Sequence, residues 1–332
     1  MARASIVSRR DRPEMFAAWE ALPAFAAGNR HPVYGSFGRR FYPAVFDAVC
    51  TDASFAVARG DEPILLVPCN LMKGTLGYFG MPINLVVSDH VSAADRTMAI
   101  SAAFAKLEDI GKAGNAASTL LRDEILGPAL SELGRVCMAR EVVAEVKLHG
   151  FCDLTLDEVQ LRRCLRKSYQ SLINWGRRNL QMVYVNASQP DRRAYDSYRK
   201  FHSAEAGRLD RATASWDATY DWIVAGGGEL ALAFTEDDAL VAATVTVDGS
   251  NVTYYASGVY DRERFDKPLA HWPLFDAILR SRERGRSRFD LGELPAKGSV
   301  SDKEFNIGYF KRGFASEIAM HLVWRLEHRK TP

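Results

Sequence analysis

Tyr254–Gly298 reads YYASGVYDRERFDKPLAHWPLFDAILRSRERGRSRFDLGELPAKG. It opens as a strand, runs out into a charged loop and enters a helix. Pro268 sits where a helix can start, because the proline's missing N–H has no intrahelical partner there in any case. Gly285 is placed to stop the helix. Phe289–Gly292, FDLG, is a second short strand. This strand–loop–helix–strand unit predicts an α/β fold.

The pattern extends on both sides. Upstream lie ELALAFTED and DALVAATVTV, then NVTYYASG after the turn residues Asp248-Gly249-Ser250, all with strand character. Further upstream, a long helix is predicted over Asp157–Asn179 with Asp157 as N-cap, and helices follow over 190–207 and 215–225. Downstream comes FNIGYFKRGFASE, whose Phe305, Phe310 and Phe314 are candidates for the core, and a last strand over 318–326. The first half repeats the theme. Helical patterns at 12–20 and 39–50 precede SFAVAR and EPILLVPCNL, which flank a Gly60-Asp61 hairpin turn. A strand at GTLGYFG, a helix over 92–110, a strand at 117–122, a helix at 125–133 and strands to about residue 156 complete it. Phe55-Ala-Val-Ala and Leu232-Ala-Phe each open a hairpin followed by a third strand and a helix. The chain therefore reads as two copies of one α/β unit, residues 1–150 and 151–332.

The 332 residues are 47% hydrophobic and 25% charged, the balance of a packed globular chain. A net charge of +2 gives no support to a DNA or tRNA partner, whose binders usually carry a stronger basic footprint. The five cysteines form no CxxC pair, so structural zinc and a disulfide framework are not expected. No metal-like pair occurs among the seven histidines. The charged N-terminus lacks the apolar core of a signal peptide, and no run is long enough to span a membrane. The expectation is a cytoplasmic protein. GxSxG, HExxH, GxxxxGK[ST] and GxGxxG are all absent, which argues against serine hydrolases, zinc hydrolases, P-loop NTPases and Rossmann oxidoreductases.

Several residues are candidates for chemistry, each with a plainer alternative. Arg264, Lys267 and His271 surround the start of the 268–285 helix, where exposed amides suit a phosphate or carboxylate; the alternative is a solvated basic loop. Glu293 ends a strand, where α/β proteins place functional groups, and is a candidate general base or an exposed loop glutamate. Asp290 reads as a residue that fixes the loop through backbone hydrogen bonds. Lys311 lies between aromatics and either snorkels to water or stabilises an oxyanion. Arg162 with Arg166, and Arg163 with Lys167, share helix faces as a phosphate clamp or a solvated surface. Arg208 and Arg211 lie in a break between helices and suit bidentate capture of an anion.

Read together, these segments resemble the FemAB-like branch of the GNAT acyltransferase superfamily. Leu165-Arg166-Lys167-Ser168 with Ile173 is similar to the helix that opens that branch's second lobe. Gly207-Arg208 and Arg211, followed by Ser215-Trp216, resemble its arginine segment. Ala277–Gly285 with Phe289–Gly292 resembles its helix–strand unit, and Phe310-Lys311 with Gly313-Phe314 its FK-x-GF ending. In the first half, His31-Pro32-Val33-Tyr34 and Tyr78–Pro82 look similar too. The resemblance spans most of the chain and rests on order and spacing.

It implies two tandem GNAT-like lobes, each a mixed, largely antiparallel sheet flanked by helices, with a cleft around the second lobe's splayed strands. It also implies transfer of an acyl or aminoacyl group to an amine, often on a cell-envelope precursor or nucleotide sugar, with acyl-coenzyme A or aminoacyl-tRNA as donor and no covalently bound cofactor. Two departures stand out. Coenzyme A users carry an R/Q-x-x-G-x-G/A loop before the main helix, whereas Arg264–His271 here has no such glycines. The long helical-hairpin insertion of many peptidyltransferases is missing as well. The expected function is N-acyl transfer to a surface-polysaccharide or glycoconjugate precursor. Glu293 would be the base, Lys311 the oxyanion stabiliser, Arg208 and Arg211 the acceptor clamp, and Tyr254 or Tyr255 the donor of a proton to the leaving group. The rivals are an aminoacyl-tRNA-dependent ligase and a non-catalytic protein that binds a nucleotide sugar or a partner.

Overall fold

The computed structural model describes residues 4–14, 16, 31–46, 49–60, 62–88, 90–125, 129–206, 211–264 and 266–328. Strand β1 (Ala4–Ser8) and helix α1 (Ser36–Phe46) come first. Strands β2 (Cys50–Asp52), β3 (Phe55–Arg59), β4 (Glu62–Val67), β5 (Asn70–Met72), β6 (Thr75–Gly77), β7 (Ile83–Asn84) and β8 (Val86–Val87) follow. Next are α2 (Ala93–Ala113), β9 (Ser118–Glu124), α3 (Glu132–Met138) and β10 (Val143–Asp153). The helices α4 (Glu158–Cys164) and α5 (Tyr169–Asn179) precede β11 (Gln181–Val185), and α6 (Arg192–Ala206) and α7 (Thr213–Trp222) precede β12 (Gly228–Phe234). The chain continues through β13 (Leu240–Asp248), β14 (Val252–Tyr260), α8 (His271–Glu283), β15 (Arg288–Glu293), α9 (Asp302–Arg312) and β16 (Glu317–Glu327). Among the described residues, no helix is long and apolar enough to cross a membrane.

The chain forms two compact units. The first takes the described parts of Met1–Asn29, Phe46–Lys147 and Met320–Pro332; the second takes those of Arg30–Val45 and Leu148–Ala319. In the first unit, β9 pairs in parallel with β6 and β7 and antiparallel with β16. The hairpin β3–β4 belongs to a separate sheet of order β1-β3-β4-β8. The predicted turn between these strands is present: Arg59 and Glu62 are partners and Gly60 has φ +62°, while Asp61 lies outside the described residues. Ser92 caps α2 by accepting the Asp95 N–H, and Phe104 and Leu107 of that helix join Phe55, Leu65, Leu121 and Trp324 in one core. The helix expected at 125–133 instead starts after its N-cap Ser131. Most of the helical pattern at 12–20 lies outside the described residues.

The second unit is built on a sheet ordered β11-β12-β13-β14-β15-β10. Its pairings are antiparallel except β14–β15, which is parallel. Leu230, Leu232, Ala243 and Val245 pack on one face with Tyr195, Tyr198 and Trp216 of α6 and α7. Ala233 and Ala242 face the opposite layer, with Leu274, Phe275 and Ile278 of α8 and Ile173 of α5. Burial on both faces explains why β12 and β13 read as near-continuous apolar runs. Gly285, φ +78°, ends α8 as its position predicts.

The predicted long helix over 157–179 is two helices. Asp157 caps the first in a capping box with Gln160. Leu165 then turns extended (ψ 150°), the Arg166 N–H donates to the Gly313 carbonyl at 2.9 Å, and α5 starts at Tyr169. A tertiary backbone hydrogen bond replaces the helical one, and Leu161, Leu165 and Tyr169 stay buried on either side of the break. A helix missed in the sequence, α9, is closed by a capping box between Ser301 and Glu304. It carries Phe310 and leads to the buried Phe314, whereas Phe305 is only half-buried.

Candidate active site

The parallel strands β14 and β15 pair only at Val252–Arg288, Thr253–Phe289 and Tyr254–Asp290. Beyond that point β14 runs to Tyr260 and β15 to Glu293 without pairing to each other. Each limb carries a bulge directly past the fork. On β14 the register against β13 jumps from Tyr255 to Ser257, leaving Ala256 extra; on β15 the register against β10 jumps from Asp290 to Gly292, leaving Leu291 extra. A bulge bends and over-twists its strand, so two of them at one level open the sheet.

Asp290 sits at the fork with its side chain 1% exposed. Its Oδ1 accepts the Gly292 N–H at 2.7 Å, which bears out its reading as a loop-fixing residue. Two histidines add to this. His31 Nε2 lies 3.1 Å from Oδ2, and His149 Nδ1 lies 3.4 Å from Oδ1. The His31 ring stands against Tyr254 with centroids 4.6 Å apart, and its Nδ1 accepts the Val33 N–H at 3.2 Å. Burial alone would push the Asp290 carboxyl up; the hydrogen bonds and proximity of His149 and His31 outweigh burial and hold it far below its ordinary value. The carboxylate is ionised.

Lys311, on α9, reaches the same place. Its Nζ lies 5.3 Å from the centroid of the Tyr255 ring, and a Cβ on Gly292 would stand 3.3 Å from it. Gly292 has φ +89°, so glycine is required there on two counts. Burial lowers the Lys311 ammonium below its usual range, and the charge of Asp290 acts in the opposite direction. The Tyr255 hydroxyl is 2.7 Å from that of Tyr260. Burial, then the neighbouring Tyr260, pushes Tyr255 well above the ordinary phenol range, and burial pushes Tyr260 and Tyr254 up to about 12. These phenols are neutral donors at physiological pH. Gly258 leaves room for the pair, since a Cβ there would overlap the Tyr255 hydroxyl. The fork thus brings together a half-buried lysine, a buried carboxylate and neutral hydroxyl donors.

Of the residues singled out in the sequence, Lys311, Tyr254 and Tyr255 meet at the fork, and Glu293 is exposed at the end of β15 as the register partner of His149. The others lie elsewhere. Arg166 is not on a helix face with Arg162; it occupies the α4–α5 break, donates to the Tyr309 carbonyl at 2.9 Å and the Tyr169 hydroxyl at 3.0 Å, and covers the Tyr309 ring. It ties the helices together, and Lys167 beside it is exposed. His271 is packed edge-on against Tyr169 and Phe310, and burial lowers it to about 4, so it brings no positive charge to the start of α8. Lys267 is exposed and closes a turn to the Arg264 carbonyl. Arg264 is engaged by Asp261 at 3.3 Å and Asp237 at 3.5 Å. Arg211 lies 4.0 Å over the Trp216 ring. Arg208 lies outside the described residues.

His149 was not singled out, and His31 only as part of a motif. Neither has a local signal: they meet Asp290 through strand register and through the 31–45 segment, which belongs to the second unit.

No protein-family model matches the chain, and no curated protein matches it in sequence. Solved structures do match it. FemX aligns over 94% of this chain and 95% of its own, at TM-score 0.63 and 12% identity. A tandem GNAT protein from the clavulanic acid biosynthesis pathway aligns over 99% and 100%, at TM-score 0.58 and 14% identity. The C-terminal domain of a lysylphosphatidylglycerol synthetase from Agrobacterium fabrum aligns over 88% and 92%, at TM-score 0.57 and 13% identity. At these identities the likeness is one of fold. With the fork between β14 and β15, it gives the chain a fold of two GNAT-like lobes, like that of the tandem GNAT protein.

Proposed function

We propose that this protein transfers an acyl or aminoacyl group to an amine of a cell-envelope or surface-polysaccharide precursor. The observation that carries the reading is the placement of Lys311 beside Gly292 and Asp290 at the fork. When an amine attacks a thioester or ester carbonyl, negative charge develops on the carbonyl oxygen. A cation held in place before the reaction lowers that barrier without reorganising solvent. Asp290 favours the charged form of Lys311 against its desolvation. Tyr255, protonated at physiological pH, is the candidate to give a proton to the leaving thiolate or alkoxide. Glu293 and His149, side by side across β15 and β10, are the candidate acceptors of the amine's proton. Arg211 is the candidate for an anionic group of the acceptor.

The donor is the open half of the reading. Arg264 opens the segment where coenzyme A users carry glycines, and its ion pairs with Asp261 and Asp237 compete with any pyrophosphate for the guanidinium. That observation favours an aminoacyl ester as the second donor class. Thermal stabilisation of the full chain against acyl-coenzyme A thioesters, charged and uncharged tRNA, and nucleotide amino sugars separates the cases. Saturation at about 100 Kd stabilises by about 2.7 kcal/mol. A shift with a thioester identifies the coenzyme A class. A shift with charged tRNA that falls steeply with salt identifies the ester class. A shift with a sugar nucleotide alone, and no turnover with any donor, refutes transfer in favour of a binding protein.

A further inference from the structure

Resting on the transfer reading above, we propose that Lys311 is also a site of covalent modification: a chain that holds an acyl donor but no acceptor transfers the acyl group to its own Lys311 Nζ. What decides this is where the nitrogen stands. β14 and β15 last pair at Tyr254–Asp290. Nζ lies 5.3 Å from the centroid of the Tyr255 ring on one limb, and 3.3 Å from where a Cβ on Gly292 would stand on the other. To stabilise an oxyanion, it must come within about 2.7–3.1 Å of the donor's carbonyl oxygen. A C=O bond is only ~1.23 Å long. The carbonyl carbon is then about 3–4 Å from Nζ, close to the ~3–3.5 Å from which a nucleophile attacks. The ammonium form has no lone pair and polarises the carbonyl. The same nitrogen without its extra proton is an amine beside an electrophile.

Two features allow this second chemistry. The first is that the nitrogen is untied. Among the described residues Nζ makes no hydrogen bond and no ion pair, and Asp290 acts on it only as a nearby charge. The backbone of α9 keeps it at the fork instead. Gly308 packs so closely on Pro295 that an added Cβ would stand 2.6 Å from the proline Cδ. The Arg166 guanidinium donates to the Tyr309 carbonyl, and the Arg166 N–H to the Gly313 carbonyl, each at 2.9 Å. Beyond that anchored backbone, the flexible four-carbon stem can turn Nζ from the edge of a carbonyl to its face. The second feature is desolvation. Burial disfavours the ammonium more than Asp290 favours it, so the neutral amine is more common here than on an ordinary lysine. A bound acceptor amine occupies the face of the carbonyl and excludes Nζ from it. Without an acceptor, neutral Nζ bonds to the carbonyl carbon. The donor's C–S or C–O bond breaks, its electron pair goes to the sulfur or oxygen, and the proton lost by Nζ ends on that leaving atom. The products are an amide on Lys311 and a free thiol or hydroxyl. The amide carries no charge, so the acylated chain has lost its oxyanion stabiliser and is switched off.

The test begins without any natural substrate. The full chain is treated with limiting p-nitrophenyl acetate near neutral pH, and acetylated peptides are quantified by mass spectrometry. The exposed Lys167, Lys267 and Lys303 serve as internal controls. Lys311 should be acetylated about 10-fold faster than any of them. Labelling of Lys311 no faster than these three overturns the proposal whatever the activity. Next, the chain is incubated without acceptor in each thioester or aminoacyl ester that raises its melting point. A gain of one acyl mass at Lys311 is expected, with turnover lost in proportion. No gain at Lys311, or full turnover by the acylated chain, overturns the proposal. If p-nitrophenyl acetate labels Lys311 selectively but no donor supports turnover by the untreated chain, the transfer reading fails and self-acylation fails with it, a result distinct from an unreactive Lys311.

Discussion

Replacing Gly292 by alanine tests the geometry of the fork directly, because the structure supplies its own control. At Gly292 φ is +89° and an added Cβ would stand 3.3 Å from Lys311 Nζ; at Gly285 φ is +78° and nothing lies within 4 Å of the added Cβ. Both substitutions force an L-residue into left-handed backbone, which costs about 1–2 kcal/mol. For a domain of this size that lowers the melting point by about 2–8 °C. Only G292A also displaces the lysine. A shift approaching 1 Å at a catalytic group lowers turnover by up to about 100-fold. A flexible lysine gives way by a few tenths of an ångström, so a loss nearer 10-fold in kcat is expected, with KM little changed. Calorimetry and steady-state kinetics on the two variants read both quantities. Equal loss of stability with loss of activity confined to G292A is the expected pattern. G292A melting with the wild type would refute the left-handed conformation at the fork. Equal activities in the two variants would refute the placement of Lys311 over Gly292.

Two further outcomes follow from the same structure. Lys311→Met keeps the side chain's length and removes its charge, so kcat should fall by about 100–1,000-fold while thermal shifts with donor and acceptor persist. Asp276, buried under Tyr184, is raised from 3.8 to about 6 by burial, against which the Tyr184 hydrogen bond acts. Because the folded chain holds this proton more tightly than the unfolded one, the group favours folding fully below about pH 4, and that contribution is lost as the pH rises through about 6, a change of about 3 kcal/mol. Urea unfolding on either side of that range should show the slope in the wild type and its absence in D276N, which keeps an acceptor for the tyrosine.

The strands and the main helix were legible because their signals are local. The continuous apolar runs of β12 and β13, the Asp157 cap and the stop at Gly285 can each be read within a few residues. Ser301-Asp-Lys-Glu304 before FNIGYF was equally local, and it is the capping-box signature of the helix that carries Lys311. The break at Leu165–Ser168 could not be read this way. It contains neither proline nor glycine, and the tertiary contact that replaces the helix is the Gly313 carbonyl, far along the chain, which accepts the Arg166 N–H. The site divides along the same line. Glu293, Lys311 and the tyrosines stand out by position and neighbours, whereas His149 becomes visible only once β10 is laid against β15 in register and the bulge at Leu291 is counted. Arg166, conspicuous as a cation in the sequence, is spent on bracing the end of α9.

The pairing of β9 with β16 bears on how the protein is made. Asp123 on β9 accepts a hydrogen bond from the indole of Trp324, which the ribosome adds 201 residues later. At about 5–20 residues per second, β9 waits roughly 10–40 s with one edge unmatched. During that time its apolar side, including Leu121, faces the folding milieu before Trp324 arrives to close the core. Slow synthesis, early termination or loss of the last strand therefore lengthens the life of a sticky nascent intermediate, and the yield of active protein in a cell should depend on chaperone supply more than the finished molecule's stability suggests.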